Sequence, residues 1–216
     1  MTAPVENFNY TATSGLDTLN GGAGFSGAWA FHDGGSMTVE ANPGSPPAFA
    51  PAGNVLRSIS TTNNTKYIRP FAGRTVETFS LWMRLSVNNP GDQCGPIWAE
   101  ASDPDEGRMY VQFDPDGNIK AYNNSTYITV AAYSANTWYK LETQIDSVNQ
   151  ANKFRARVKT GRTWGSYTSW LTVNGGAITS IGYLMIADSV PGAHSFYVGN
   201  IGGKERSPLI IGGDLT

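Results

Sequence analysis

Two histidines, one cysteine and 17 carboxylates are the raw material for chemistry in this chain. With one thiol, Cys94, neither an internal disulfide nor a cysteine-rich zinc site can form, and the residue reads as a small buried apolar group. His32 stands beside Asp33-Gly34-Gly35 and reads as a turn residue, while His194 follows Pro191-Gly192-Ala193 where a strand begins. Both positions suit solvated or capping roles better than metal ligation. No Gly-x-Ser-x-Gly elbow occurs, although a Ser/His/Asp set drawn from distant parts of the chain stays open. Glu142 and Asp146 share a face of an expected strand, but strand rise sets them on the order of 13 Å apart. Retaining glycoside hydrolysis needs about 5–5.5 Å between its carboxyl groups. The acidic residues Asp103, Asp105 and Glu106, with Asp114 and Asp116 of a later turn, offer oxygen ligands of the kind Ca²⁺ takes, without the spacing of an EF-hand. Solvated turn chemistry is the competing reading of the same residues.

Aromatic residues give the other signal. Six Trp and ten Tyr exceed what a core of this size requires. Trp82, Tyr110, Trp138, Trp164, Tyr167 and Trp170 fall on or near the polar registers of their strands. Ring faces flanked by fixed polar groups suit sugars, whose CH faces stack while their hydroxyls find hydrogen-bond partners. The candidate glycan-binding set is therefore Trp82, Arg84, Tyr110, Gln112, Trp138, Lys140 and Glu142, with Gln144 beside it. Against it stands the plainer reading that aromatics are good strand residues and that loops cover them.

The elements that must position these residues are strands. Charged residues make up 15% of the chain, and Gly, Pro, Ser, Thr and Asn take up the difference, which is strand and turn composition. In 77–87, Phe79, Leu81, Met83, Leu85 and Val87 alternate with Ser80, Trp82, Arg84 and Ser86, the period of a strand with one core face. The stretch 108–114 places Met109, Val111 and Phe113 on one side, and Asp114-Pro115-Asp116-Gly117 turns it into 118–122. In 137–146, Tyr139, Leu141 and Ile145 oppose Trp138, Lys140, Glu142 and Gln144. In 153–160, Phe154, Ala156 and Val158 oppose Lys153, Arg155, Arg157 and Lys159, a set expected to face water. Further strands are expected at 5–10, 36–40, 55–60, 66–69, 126–131, 178–187 and 195–201, with long loops at 14–27 and 42–53. About a dozen strands of this length suit two packed sheets. No window of helical period competes.

The segment Glu6-Asn7-Phe8-Asn9-Tyr10, followed by Leu19-Asn20-Gly21-Gly22-Ala23-Gly24-Phe25-Ser26-Gly27-Ala28-Trp29, resembles the first strand and loop of concanavalin A-like (laminin G-like) jelly-roll domains of bacteria and phages. Thr137-Trp138-Tyr139-Lys140-Leu141-Glu142 is similar to a late strand of such domains, and Ser195-Phe196-Tyr197-Val198-Gly199-Asn200-Ile201 to their closing strand. The resemblance implies an all-β, two-sheet antiparallel β-sandwich over 1–203, with 204–216 as a tail or linker. Such domains include glycan-binding modules, glycoside hydrolases, polysaccharide lyases and structural virion or adhesion domains, so fold alone does not choose among them. The two glutamates and aspartate that alternate along one strand in the hydrolases are missing. So is the Gln-x-His of the lyases, of which Ile119-Lys120-Ala121-Tyr122 keeps only a fragment of another strand.

The expectation is a noncatalytic sandwich for surface recognition, its partner a glycan or cell-surface polysaccharide. The alternative is a structural virion protein, a capsid decoration, fibre or tail component. That role would contact itself or other virion proteins through the tail, where Pro208-Leu209-Ile210-Ile211 is an apolar run. A lyase or hydrolase ranks third. No cofactor is expected beyond Ca²⁺ at the acidic residues. A net charge of -2 from 15 basic and 17 acidic residues argues against nucleic acid, and the absence of a long apolar run against a membrane partner. The chain is expected at an extracellular or virion surface; as no leader is seen at its start, it would arrive there after removal of a signal, or by assembly or lysis.

Overall fold

Alternation of apolar and polar residues becomes fifteen strands and no helix in a computed structural model that describes residues 4–12, 14–43, 53–59, 65–189 and 194–202. They are β1 (Ala30–Asp33), β2 (Ser36–Ala41), β3 (Asn54–Ile59), β4 (Thr65–Arg74), β5 (Val76–Leu85), β6 (Cys94–Glu100), β7 (Asp103–Phe113) and β8 (Asn118–Asn123). There follow β9 (Thr126–Ala132), β10 (Trp138–Asp146), β11 (Lys153–Thr160), β12 (Thr163–Trp164), β13 (Leu171–Thr172), β14 (Ile181–Asp188) and β15 (Phe196–Gly202). The first sheet runs β1-β4-β14-β6-β7-β8-β9, and the second β12-β11-β10-β5-β15-β3-β2, with β13 also paired to β11. Every pairing is antiparallel. This is the two-sheet jelly-roll sandwich.

The expected inward faces meet between the sheets. Phe79, Leu81, Met83 and Leu85 of β5, Leu141 and Ile145 of β10, and Phe154, Ala156 and Val158 of β11 pack in one cluster with Met109, Val111, Phe113, Leu184 and Ile186 of the first sheet. Burying such side chains supplies about 1.5–3 kcal/mol each in transfer free energy, which is what holds two sheets face to face. The segments carrying the family resemblance also meet: Glu6 and Ile201 exchange backbone hydrogen bonds of 2.7 Å in both directions.

The strands depart from expectation in two places. Residues 5–10 form isolated bridges rather than a strand, whereas 14–27 is the expected loop, pinned by single bridges at Gly15, Ala23 and Phe25 and by the buried Leu16. β6 lies centrally although Gly95-Pro96 argues against a strand there. Its neighbours crowd it: a Cβ on Gly95 would stand 2.7 Å from the Val111 carbonyl oxygen and 2.8 Å from Cα of Gln112, so only glycine permits this approach. Of the loop expected at 42–53, residues 44–52 fall outside the described residues, as does the apolar run at 208–211.

Candidate functional site

The outer face of the first sheet carries a groove of about 420 Å³. Its floor follows from register. Tyr110 pairs with Ile97, Ile97 with Met185, and Met185 with Ile68, so four outward side chains form one row across β7, β6, β14 and β4. In the next row Ala187 pairs with both Gly95 and Lys66, and Gln112 stands against Gly95. In this second row Gly95 and Ala187 lie between Gln112 and Lys66, so small residues in its middle deepen the trough.

Tyrosines form one wall. The hairpins β7-β8 and β8-β9 bring Tyr122 opposite Tyr127, and the Tyr122 ring lies 5.8 Å from that of Tyr110 and 4.9 Å from that of Tyr127. Three rings therefore stand in adjacent strands on one face, and Tyr127 is 43% exposed. Gly107 makes room for this wall, since a Cβ there would collide with the Tyr110 ring and with Ile97. Burial raises the Tyr110 phenol above its ordinary range, so its hydroxyl is neutral at physiological pH.

Polar groups line the rest. Tyr127 donates its hydroxyl to Gln93 Oε1 at 2.9 Å, and Gln93 donates through Nε2 to Asp114 at 3.1 Å, which fixes the amide. Gln112, Lys66 and Ser189 also line the groove. At the far wall His32 Nε2 lies 2.9 Å from Asp105 Oδ1. β1 and β7 are separated in the sheet by β4, β14 and β6, so this contact passes over the groove.

The glycan-binding candidates divide between two faces. Tyr110 and Gln112 lie in this groove, whereas Trp82, Arg84, Trp138, Lys140 and Glu142 share the outer face of the second sheet, with Trp138 paired to Arg84 and Lys140 to Trp82. There the rings are not open. Trp82 is 5% and Trp138 3% exposed, packed with Val55 and Tyr197, and the Arg84 guanidinium sits 5.0 Å from the Tyr197 ring. Glu142 accepts from Arg157 Nε at 2.8 Å and from the Tyr167 hydroxyl. Lys140 is buried as well. Tyr122, Tyr127, Gln93 and Lys66 were missed; the β7-β8 and β8-β9 turn residues were the signal that could have aligned the three tyrosines.

Trp164, Tyr167 and Trp170 cover β11. The 163–172 segment runs along this strand, pairing at β12 and β13 and bonding between them through Gly165 N to Val158 O and Thr168 N to Ala156 O, each 2.9 Å. Its aromatic residues recur every third position and interleave with alternate cations of β11. Arg157 lies 4.4 Å from both Trp164 and Tyr167, and Arg155 lies 4.3 Å from Tyr167 and 4.7 Å from Trp170. Burial, then the Glu142 carboxylate, pushes the Tyr167 phenol up to about 12. A raised phenol stabilises the fold fully below the unfolded value of about 10, and that stability is lost as pH climbs toward about 12. Tyr167→Phe is expected to lose less stability than the parent across this window, read by urea unfolding at stepped pH; parallel losses would contradict the assignment.

The five calcium candidates do not converge. Asp103, Asp105 and Glu106 sit at the start of β7 and Asp114 and Asp116 just past its end. Lys120 Nζ lies between the latter two, 3.1 Å from Asp114 and 2.7 Å from Asp116. Glu106 is tied to Arg108, and Asp105 to His32. Among the described residues no three His, Cys, Asp or Glu side chains gather as a metal would need. These residues do not fit a Ca²⁺ ion.

No family model matches the sequence, and no curated protein matches it as a relative. Solved structures do match. One is a sialidase, with a TM-score of 0.57 and 11% identity over 82% of this chain; the chain spans 17% of that protein. Another is the conserved carbohydrate esterase of the Shiga toxin-encoding bacteriophage phi24B, with a TM-score of 0.55 and 14% identity over 92% of this chain and 97% of the other. At such identities the likeness is one of fold: this chain is an all-β sandwich of the jelly-roll kind.

Proposed function

We propose that the groove on the first sheet is a noncatalytic glycan-binding site and that the chain acts in surface recognition at an extracellular or virion surface. The observation that carries this reading is the row of Tyr110, Tyr122 and Tyr127 beside a trough lined by the Gln93 and Gln112 amides. Aromatic rings offer apolar faces to sugar CH groups, while amides and hydroxyls select among hydroxyl patterns. The sharing of the fold with a sialidase and a phage carbohydrate esterase supports the choice of a carbohydrate as ligand. The noncatalytic reading draws support from the Glu142 carboxylate, which is held by Arg157 and Tyr167.

The test is a glycan array followed by calorimetric titration of the strongest hit. Tyr127→Ala removes an exposed stacking face and is expected to weaken binding about tenfold, equivalent to about 1.4 kcal/mol. Trp164→Ala, on the opposite face, is expected to leave the affinity unchanged. Equal affinity of the parent and Tyr127→Ala, or loss only in Trp164→Ala, would remove the groove from consideration. Release of acetate or a reducing sugar from the bound glycan would replace a binding module with an enzyme.

A further inference from the structure

Charge is unevenly distributed along this chain. Lys153, Arg155, Arg157, Lys159 and Arg162 fall within ten residues, and no Asp or Glu occurs between Asp146 and Asp188, so the other 10 basic residues share the molecule with all 17 acidic ones. β11 turns Phe154, Ala156 and Val158 into the core, which places Lys153, Arg155, Arg157 and Lys159 together on the outer face of the second sheet. Alternate strand residues lie roughly 6.6 Å apart, so like charges are held at close intervals. Two carboxylates of the described residues stand beside this row. Glu142 is taken by Arg157, and Asp146 turns to the Asn149 backbone N–H at 2.9 Å.

The rings of Trp164, Tyr167 and Trp170 hold the guanidinium groups in place without neutralising them. Arg155 meets Gln144, a neutral amide, at 2.8 Å, and its guanidinium lies beside the Tyr167 and Trp170 rings. Lys159 Nζ lies 5.5 Å from the Trp164 ring. Arg162 is exposed in the turn that follows, and Lys153 has no carboxylate partner among the described residues. Guanidinium groups ordered by stacking keep N–H edges for oxyanions, and half-buried indoles between them keep apolar surface for sugar rings.

We infer that the outer face of β11, with its covering segment 163–170, binds an anionic polysaccharide, one whose carboxylate or sulfate groups meet Lys153, Arg155 and Arg162. The site lies on the opposite side of the sandwich from the tyrosine groove and does not depend on it. A flexible anionic chain fits the observations better than a small anion, because the cations form a line along a strand rather than a closed cup. Sugar rings also use the aromatic surface that a bare polyphosphate would not.

The experiment is biolayer interferometry of the full chain on immobilised polygalacturonate and on dextran sulfate, with neutral dextran and single-stranded DNA as comparators, over a series of salt concentrations. Binding to at least one anionic polysaccharide is expected, with affinity falling steeply as salt rises and no response on neutral dextran. The surface double variant Lys153→Gln/Arg162→Gln is expected to bind about tenfold more weakly with a shallower salt dependence. Tyr127→Ala is expected to match the parent, so that this site and the groove fail or stand separately. Absence of binding to both polysaccharides at low salt, an unaltered double variant, or tighter binding to the DNA than to either polysaccharide would overturn the inference.

Discussion

Arg69→Ala is expected to destabilise the protein by about 3–5 kcal/mol, the usual cost of leaving one member of a buried ion pair without its partner. Arg69 and Glu6 are 0% and 1% exposed and form a salt bridge. The guanidinium also donates to the Gly21 and Gly27 carbonyl oxygens and stacks 4.0 Å from the Phe25 ring. Glu6 accepts in addition from the Phe8 backbone N–H at 2.9 Å and the Tyr10 hydroxyl at 2.8 Å. One charge pair thus ties the residues before β1 to β4, and through the Glu6 to Ile201 backbone bonds to β15 as well. Removing the cation leaves a carboxylate out of water with only neutral donors. Urea unfolding followed by tryptophan fluorescence measures the effect, and a loss below about 1 kcal/mol would place the pair among those of little consequence. The double variant Arg69→Met/Glu6→Gln is expected to recover much of the loss, since it removes both charges.

Phe113→Ala is expected to cost a similar amount, about 3–5 kcal/mol, through lost burial and the cavity left behind. The ring is fully buried and meets Tyr133 at 4.7 Å, Tyr139 at 6.2 Å and Phe196 at 6.1 Å, each near edge-on, so it joins β7 of the first sheet to β10 and β15 of the second. Neighbouring strands cannot close the gap without breaking register. Thermal and urea unfolding should agree on the loss. A change of less than about 1.5 kcal/mol would mean that the sheets collapse freely around this point. Phe113 points away from the groove while its neighbour Gln112 lines it, so glycan affinity measured well below the melting temperature is expected to survive.

Strand alternation is a local property, and it was legible wherever side chains obeyed it. The inward sets of β5, β10 and β11 were readable as expected because a period of two assigns each residue to a face without reference to the rest of the chain. The β7-β8 hairpin was readable from Asp114-Pro115-Asp116-Gly117 for the same reason. β6 was not, because Gly95 and Pro96 carry a local message of interruption that crowding against β7 and pairing with β14 override. β1 escaped notice because four residues are too few for a period.

The sequence by itself determined that this protein is a two-sheet β-sandwich, that Tyr110 and Gln112 face outward, and that Trp82, Trp138 and Glu142 share a face. Only the tertiary structure decided which outward face stays open. Val55 and Tyr197, distant in the chain, pack against Trp82 and Trp138, and the 163–170 segment lies over β11. On the other sheet Tyr110, Tyr122 and Tyr127 come into line, and His32 reaches Asp105 across three intervening strands. Periodicity fixes the direction of a side chain, but its exposure depends on contacts between residues far apart in sequence, which no local pattern records.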